Sequence, residues 1–393
     1  MNFDFIIVGG GAHGCAVAYE LARSGAGSIA VIERESIAHE ASGGFGKRGV
    51  RANGRDLREL PLMREAYELW PSLEEELGAE TGYERTGGVY LVEGDARTGH
   101  RGLSAIDARV RTQNGLGIPT ERWERDRLQQ SYPGVSSAVR AAIHTPMDGV
   151  SSQEMTTHAY ASAARSLGVE FFENTSVTAL ETDSDGTVLA VHTDKEVRLR
   201  VRRSVLLANN AGAPALVSHA FGIELPVWTI YPQALLLHAE RPANIPMLTA
   251  HDSKPLSVKV LKDDVIMLSG GWRGHLPPQA RRGATVEENI AGNIQTLETV
   301  FPDLGALEIL AADASRAETS TVDEIPVIGP VAKNAFVATG WSGHGWALVP
   351  SVAKRLSVTM STQRLDNGLA AFSPKRFSTA SAPLASLERG SHA

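Results

Sequence analysis

Phe3, Phe5, Ile6, Ile7 and Val8 form a nearly continuous apolar run that ends in Gly9-Gly10-Gly11-Ala12-His13-Gly14. Such a run suits a parallel strand buried on both faces. From Ala12 to Arg23 the apolar residues Cys15, Val17, Ala18, Leu21 and Ala22 recur at helical spacing, and Ile29 to Ile32 reads as a second buried strand. The order strand, G-x-G-x-x-G, helix, strand predicts a β-α-β unit that binds a dinucleotide. Gly9 permits the tight turn, Gly11 lets the backbone approach a pyrophosphate at the positive helix end, and Gly14 lets helix and strand pack closely. Glu33, closing the second strand, is placed to accept hydrogen bonds from a ribose 2′-hydroxyl; its charge would repel a 2′-phosphate, which disfavours NADP.

A chain of 393 residues is too long for one ordinary core, so two domains, or one with a large insertion, are expected. Hydrophobic residues at 42% and charged residues at 21% exclude intrinsic disorder. The net charge of −7 has the wrong sign for a general nucleic-acid binder. The single cysteine, Cys15, excludes an intramolecular disulfide and a Cys-rich metal or iron–sulfur site, and fits a reducing compartment. The first residues lack a signal-peptide pattern, and no apolar run approaches the roughly 18 residues of a membrane span, so a cytoplasmic protein is expected.

Further along, Asp56 to Leu77 has a helical apolar face that includes Leu57, Leu60, Met63 and Leu73, and Tyr83 to Val92 reads as a strand. A helix is expected over Met155 to Leu167. Short strands follow at Val169–Phe172, Val177–Leu180, Val188–His192, Val197–Val201 and Val205–Ala208. Val227–Leu237 and Leu256–Leu268 are strand-like, Val286–Val300 helical, and Phe336–Thr339 begins a strand-turn-helix unit whose helix runs from Leu348 to Met360. Helix-strand alternation opens and closes the chain around two sheet-rich stretches. One domain inserted twice into another would give this pattern.

Four ordered segments carry a resemblance. Ser42-Gly43-Gly44-Phe45-Gly46-Lys47-Arg48-Gly49-Val50-Arg51 resembles the flavin-contacting loop of the D-amino-acid-oxidase-like FAD-dependent amine oxidoreductases, particularly the sarcosine oxidase group. Ala208-Asn209-Asn210-Ala211-Gly212-Ala213 resembles their segment after the second cofactor-contacting strand. Thr321 to Gly329 is similar to their T-P-D-x-x-P-x-I-G stretch, with Val322 for the proline, and Gly340-Trp341-Ser342-Gly343-His344-Gly345-Trp346 to their G-F-S-G-H-G-F turn. The overall likeness, which includes Gln233-Ala234-Leu235, is nearest to the β-subunits of heteromeric sarcosine, opine and hydroxyproline oxidoreductases.

The resemblance implies an α/β (α+β) fold: a glutathione-reductase-like FAD-binding Rossmann domain over 1–84, 141–226 and 311–373, and a substrate domain on a mainly antiparallel sheet over 85–140 and 227–310. Residues 374–393 are expected to form a flexible tail. Cofactor contacts are expected at Gly9, Gly11, Ala12, His13, Gly14, Glu33, Arg34, Ser42, Gly43, Gly44, Lys47, Arg48, Val177, Ala211, Gly212, Gly343, His344, Gly345 and Trp346. Amides of the Gly343–Gly345 turn would stabilise negative charge on a reduced flavin. FAD is expected to be noncovalent, because Cys15 lies on the first helix and Phe45 and Gly46 stand where an attaching histidine would be sought.

Arg48 and Arg51 match an Arg-x-x-Arg pair in the monomeric sarcosine oxidases, the first near the flavin and the second on the substrate carboxylate, a task suited to a bidentate guanidinium. With Arg55 and Arg58 close by, a basic helix entry facing solvent is the alternative. His344, Arg273 and His275 complete the candidate substrate set, while Trp272, Tyr231, Gln233 and His251 could line the substrate domain. Two departures stand out: Ala347 replaces the family's clamp lysine, and Glu318 occupies a position where several deaminating relatives carry arginine. The expected activity is oxidation of the C–N bond of a secondary or N-substituted amino acid to an imine that hydrolyses. Electrons would pass to O2 or to a redox partner subunit. A flavin-binding protein without amine turnover is the rival reading.

Overall fold

The computed structural model describes residues 1–39, 42, 46–95 and 102–377. Its first sheet runs in the order Val327–Pro330, Ala335–Thr339, Arg198–Leu207, Asn2–Val8, Ile29–Ile32, Glu170–Phe172. Asn2–Val8 pairs in parallel with Ile29–Ile32 on one side and Arg198–Leu207 on the other. Phe5, Ile7 and Val31 pack against helices Ala12–Arg23, Gln153–Ser166 and Val349–Thr362, while Ile6, Val8 and Ile32 enter a second cluster on the opposite face. The unbroken apolar run is thus a strand buried on both sides, as its composition demands. Val188–Thr193 and Val177–Thr182 extend Arg198–Leu207 as an antiparallel ribbon.

The second sheet runs Leu307–Asp313, Ala234–Ala239, Ile266–Ser269, Ser257–Val260, Leu248–His251, Gly88–Val92, Ala141–Thr145, Glu121–Glu124. Every pairing in it is antiparallel except Leu248–His251 with Gly88–Val92. Helix Glu287–Val300 covers one face through Leu297 and Val300. Two short ribbons stand apart from the large sheets: Lys47–Val50 with Gly149–Ser152, and Val227–Ile230 with Glu318–Thr321. These ribbons bring Arg48 and Glu318 toward the site.

Several expectations need correction. The helix expected over 56–77 is broken: α-helix Leu60–Leu69 passes into a 3-10 turn at Trp70–Ser72, where Pro71 interrupts the bonding, before Leu73–Leu77. Leu57 precedes it and is 60% exposed. The strands expected at 197–201 and 205–208 are one strand, Arg198–Leu207, whose register against Asn2–Val8 shifts between Phe3 and Phe5. Ala141–Thr145 pairs within the second sheet, not the first, because Gly88–Val92 and Glu121–Glu124 flank it. Pro374–Phe377 is a 3-10 turn held by Arg376, whose guanidinium bonds Asp323 at 3.0 Å, so residues 374–377 are not tail. The aspartate of the Thr321–Gly329 segment is therefore a structural anchor, also met by Arg58 at 3.1 Å.

Candidate active site

A Cβ built on Gly14 would fall 1.9 Å from the Gly9 carbonyl oxygen, so the first helix rests on the turn at a distance that no side chain permits. Gly11 differs, for nothing lies within 4 Å of its missing Cβ. It N-caps Ala12–Arg23 without a side-chain bond, no acidic residue occupies the first turn, and the turn faces a cavity of about 700 Å³. A helix end of this kind favours an anion. Glu33 accepts from Gly10 N at 2.7 Å through Oε2 and from Glu35 N at 3.0 Å through Oε1, which fixes the acid at the cavity wall.

Gly9, Gly11, Ala12, His13, Glu33, Arg34, Ser42, Arg48, Val177, Ala211, Gly212, Gly343, Gly345 and Trp346 all line this cavity, drawn from six separate stretches of sequence. His13 stacks on Trp341 with ring centroids 3.7 Å apart, and burial pushes its imidazole down to about 3. Gly14 lies behind the turn in its packing role. Lys47 does not line the cavity: strand pairing with Gly149–Ser152 sends successive side chains to opposite faces, so Arg48 enters while Lys47 pairs with Glu84 at 2.6 Å. Gly43 and Gly44 lie outside the described residues. Among the described residues, buried His13 Nε2, Asn209 Oδ1 and Trp346 Nε1 have no hydrogen-bond partner. An uncapped helix end, an acid on the cavity wall at the end of the second strand and orphaned polar atoms around one large cavity fit an FAD molecule.

A second cavity of about 550 Å³ shares Arg48, Glu318, Gly343 and Trp346 with the first. Arg48 is half-buried, and loss of hydration pushes its guanidinium down to about 10 despite the opposing charge of Glu318. Glu318 is buried, which raises its carboxyl, while the Gly343 amide at 2.8 Å, the Arg48 charge and the Ser42 hydroxyl favour the anion. His344 N donates to Trp341 O at 2.8 Å, so the His344 amide is engaged within the turn and the Gly343 amide is taken by Glu318. The His344 ring lines the second cavity and not the first; burial, then Arg51 and Arg55, push it down to about 3, and it stays neutral.

Arg51 lines the second cavity and donates to Asn53 O. Arg55 is buried, its Nε 2.6 Å from Arg51 O, its second nitrogen 2.8 Å from His344 O, and its guanidinium 3.3 Å from Glu59. The solvent-facing alternative for these arginines therefore fails; Arg58 alone of the four is exposed, on Asp56 and Asp323. Arg273, Trp272, Gln233 and His251 line the cavity. His275 does not: its backbone pairs with Ala284 and it faces solvent. Tyr231 packs its ring over Gly283, outside the lining. Ala347 is buried, its carbonyl taken by Trp70 Nε1. Cys15 is buried and donates to Gly10 O at 3.3 Å, and burial pushes its thiol up, away from any nucleophilic role.

One residue escaped the sequence reading. Lys259, on strand Ser257–Val260, is 5% exposed, lines the second cavity, and is pushed down to about 7 by burial and by Arg48 and Arg51. In Ser257-Val258-Lys259-Val260 it looks like the polar member of an alternating strand, and only the folded neighbourhood distinguishes it.

A glycine-turn cavity that shares wall residues with a second, arginine-lined cavity beside a mainly antiparallel sheet is the arrangement of a flavin-type oxidoreductase. Residues 4–358 match the family model described as FAD dependent oxidoreductase, and the chain belongs to that family. It is thus an FAD-dependent oxidoreductase, and relatives named as oxidases of amines and amino acids are among its matches. It is 25% identical over 396 residues to sarcosine oxidase subunit beta of Arthrobacter sp., covering 96% of this chain and 92% of that one. Identity to glycine oxidase of Geobacillus kaustophilus is 25% over 387 residues, with 95% and 97% covered. The crystal structure of L-proline dehydrogenase from P. horikoshii shares the fold with a TM-score of 0.82, at 22% identity, over 95% of this chain and 97% of that one. Among the described residues no helix is long and apolar enough to cross a membrane.

Proposed function

We propose that the protein oxidises the C–N bond of a secondary or N-substituted amino acid, of the sarcosine, proline or opine kind, to an imine that hydrolyses. Bound FAD, held noncovalently, would supply the hydride acceptor. The residues of the first cavity would hold it: the Gly9–Gly14 turn the pyrophosphate, Glu33 the ribose, and Arg48, Gly343 and Trp346 the end that faces the substrate. Arg51 would bind the substrate carboxylate, while neutral His344 and the Trp272 ring help to exclude water. Once the carboxylate is anchored, the substrate carbon is oriented at the junction of the two cavities, and orientation is the main service such a site must provide.

The observation that carries this reading is Arg51, a cation on the wall of a cavity that shares four residues with the cofactor cavity. Arg51→Ala should leave FAD content near normal and weaken an amino-acid substrate by one to two decades, the effect of about 1.5 to 3 kcal/mol lost with a charge-assisted contact. Its uncharged amide should lose far less, and Arg51→Lys should recover only part of the loss. Equal losses for acid and amide would refute the clamp. The name of the Arthrobacter relative, a subunit, favours a second reading for electron disposal: a catalytic subunit that passes electrons to partner subunits instead of to oxygen.

A further inference from the structure

Lys259 sits in the second cavity without compensation. No hydrogen bond or ion pair holds its ammonium among the described residues. On one side strand Ile266–Ser269 places Met267 opposite it and carries no ionisable residue. On the other, strand Leu248–His251 carries His251, whose ring accepts from Ser253 N and Lys254 N and faces Glu93. The charges that face Lys259 are Arg48 and Arg51, both of its own sign, while Glu318 is taken up by Arg48 and the Gly343 amide. Burial and two like charges both favour a neutral amine, and Nζ is pushed down to about 7.

We propose that Lys259 accepts the proton of the substrate's ammonium group as the amino acid binds. The inference rests on the amine oxidation proposed for this cavity. At neutral pH an amino acid arrives as a zwitterion, whereas oxidation of the C–N bond requires the nitrogen lone pair. The substrate N–H bond breaks with its electron pair left on nitrogen, and the proton bonds to the lone pair of Nζ. Site plus substrate keep the same total charge. The carboxylate that pairs with Arg51 adds a negative charge beside one of the two cations that face Lys259, so a protonated Lys259 costs least at the moment the proton arrives. When product leaves, the like charges return and Lys259 releases the proton to water.

The test uses the holoenzyme, anaerobic flavin reduction by an amino acid that the wild type accepts, and a series from about pH 6 to about pH 10. Lys259→Met should lose about a hundredfold in limiting rate at neutral pH, the scale of general-base catalysis. The loss should shrink as pH approaches the amine's own pKa, because the substrate then arrives neutral. A loss independent of pH and confined to acids would make Lys259 a second carboxylate clamp in place of Ala347, and would overturn the proposal, as would no loss at all. A second readout needs no turnover. Binding of (methylthio)acetate, which has sulfur in place of the amine, should draw up to one proton from weakly buffered solution near pH 8 in the wild type and almost none in Lys259→Met. Equal uptake in both proteins overturns the assignment. A wild type that no amine reduces overturns the proposed function and this inference together; one that is reduced, with a pH profile unchanged in Lys259→Met, overturns the inference alone.

Discussion

Single side chains decide both cofactor binding and the character of the substrate cavity. Gly11 is the cleanest position to probe, because its missing side chain points into open cavity and not into protein. Gly11→Val should fold with near wild-type stability and purify without FAD; full FAD occupancy would remove the phosphates from this turn. Lys259 gives the opposite kind of prediction. Its amine is pushed from 10.5 down to about 7 in the fold, so between those pH values the unfolded chain binds the extra proton, and the contribution of this group to stability rises with pH. Lys259→Met should therefore unfold at higher urea than wild type at pH 7, with the gap narrowing toward about pH 10. A variant less stable at pH 7 would mean that the ammonium has a compensating partner. The glycine turn was legible because its conformational demands are tied to local spacing, while Arg48 and Arg51, singled out through the resemblance, do reach the cavity walls. Lys259 and the juxtaposition of Arg48 and Glu318 were not legible, because they join segments far apart in sequence, and Lys47 stands off the cavity because its strand pairing alone says which way it faces.

At the scale of elements, the loop that carries Arg51 is tied down by Asp148. This buried carboxylate accepts from Ala52 N at 2.8 Å, from the Tyr67 hydroxyl and from Asn53 Nδ2 at 3.4 Å, and so joins the loop to helix Leu60–Leu69 and to the turn before Gly149–Ser152. Burial pushes its carboxyl up to about 6 against the pull of Tyr67, the Ala52 amide, Arg51 and Arg55. Asp148→Ala leaves the Ala52 amide and the Tyr67 hydroxyl buried without that acceptor, each at about 1–3 kcal/mol. Urea unfolding should show a loss of that order, and the acid substrate should bind more weakly as the Arg51 loop loosens. A loss below about 0.5 kcal/mol would mean that the network is dispensable. Elements with strong periodicity, such as Ala12–Arg23, Gln153–Ser166 and Val349–Thr362, were close to their expected bounds. Helix Leu103–Gly115 was missed because its apolar contribution to the core is little more than Ile106. The ribbon Lys47–Val50 with Gly149–Ser152 was missed because its pairing spans about a hundred residues and leaves no local signature.

The whole molecule sets two large sheets so that their cavities meet at Arg48, Glu318, Gly343 and Trp346. The alternation of helix and strand at both chain ends made the two-part architecture readable. The exact boundaries were not, since Ala141–Thr145 and Ala311–Asp313, expected in the FAD-binding part, join the second sheet through long-range pairing. With Cys15 buried on the first helix, acid precipitation should release intact FAD into the supernatant, and colour left on the polypeptide would contradict noncovalent binding. The joined cavities make the central claim, that an amino acid bound in one reduces the flavin held in the other. Anaerobic mixing of the yellow holoprotein with sarcosine, proline, opines and simple amines tests it directly. At least one secondary amino acid should bleach the visible flavin band, and simple amines without a carboxylate should do so far more slowly; a flavin that stays oxidised across the whole panel would contradict the account.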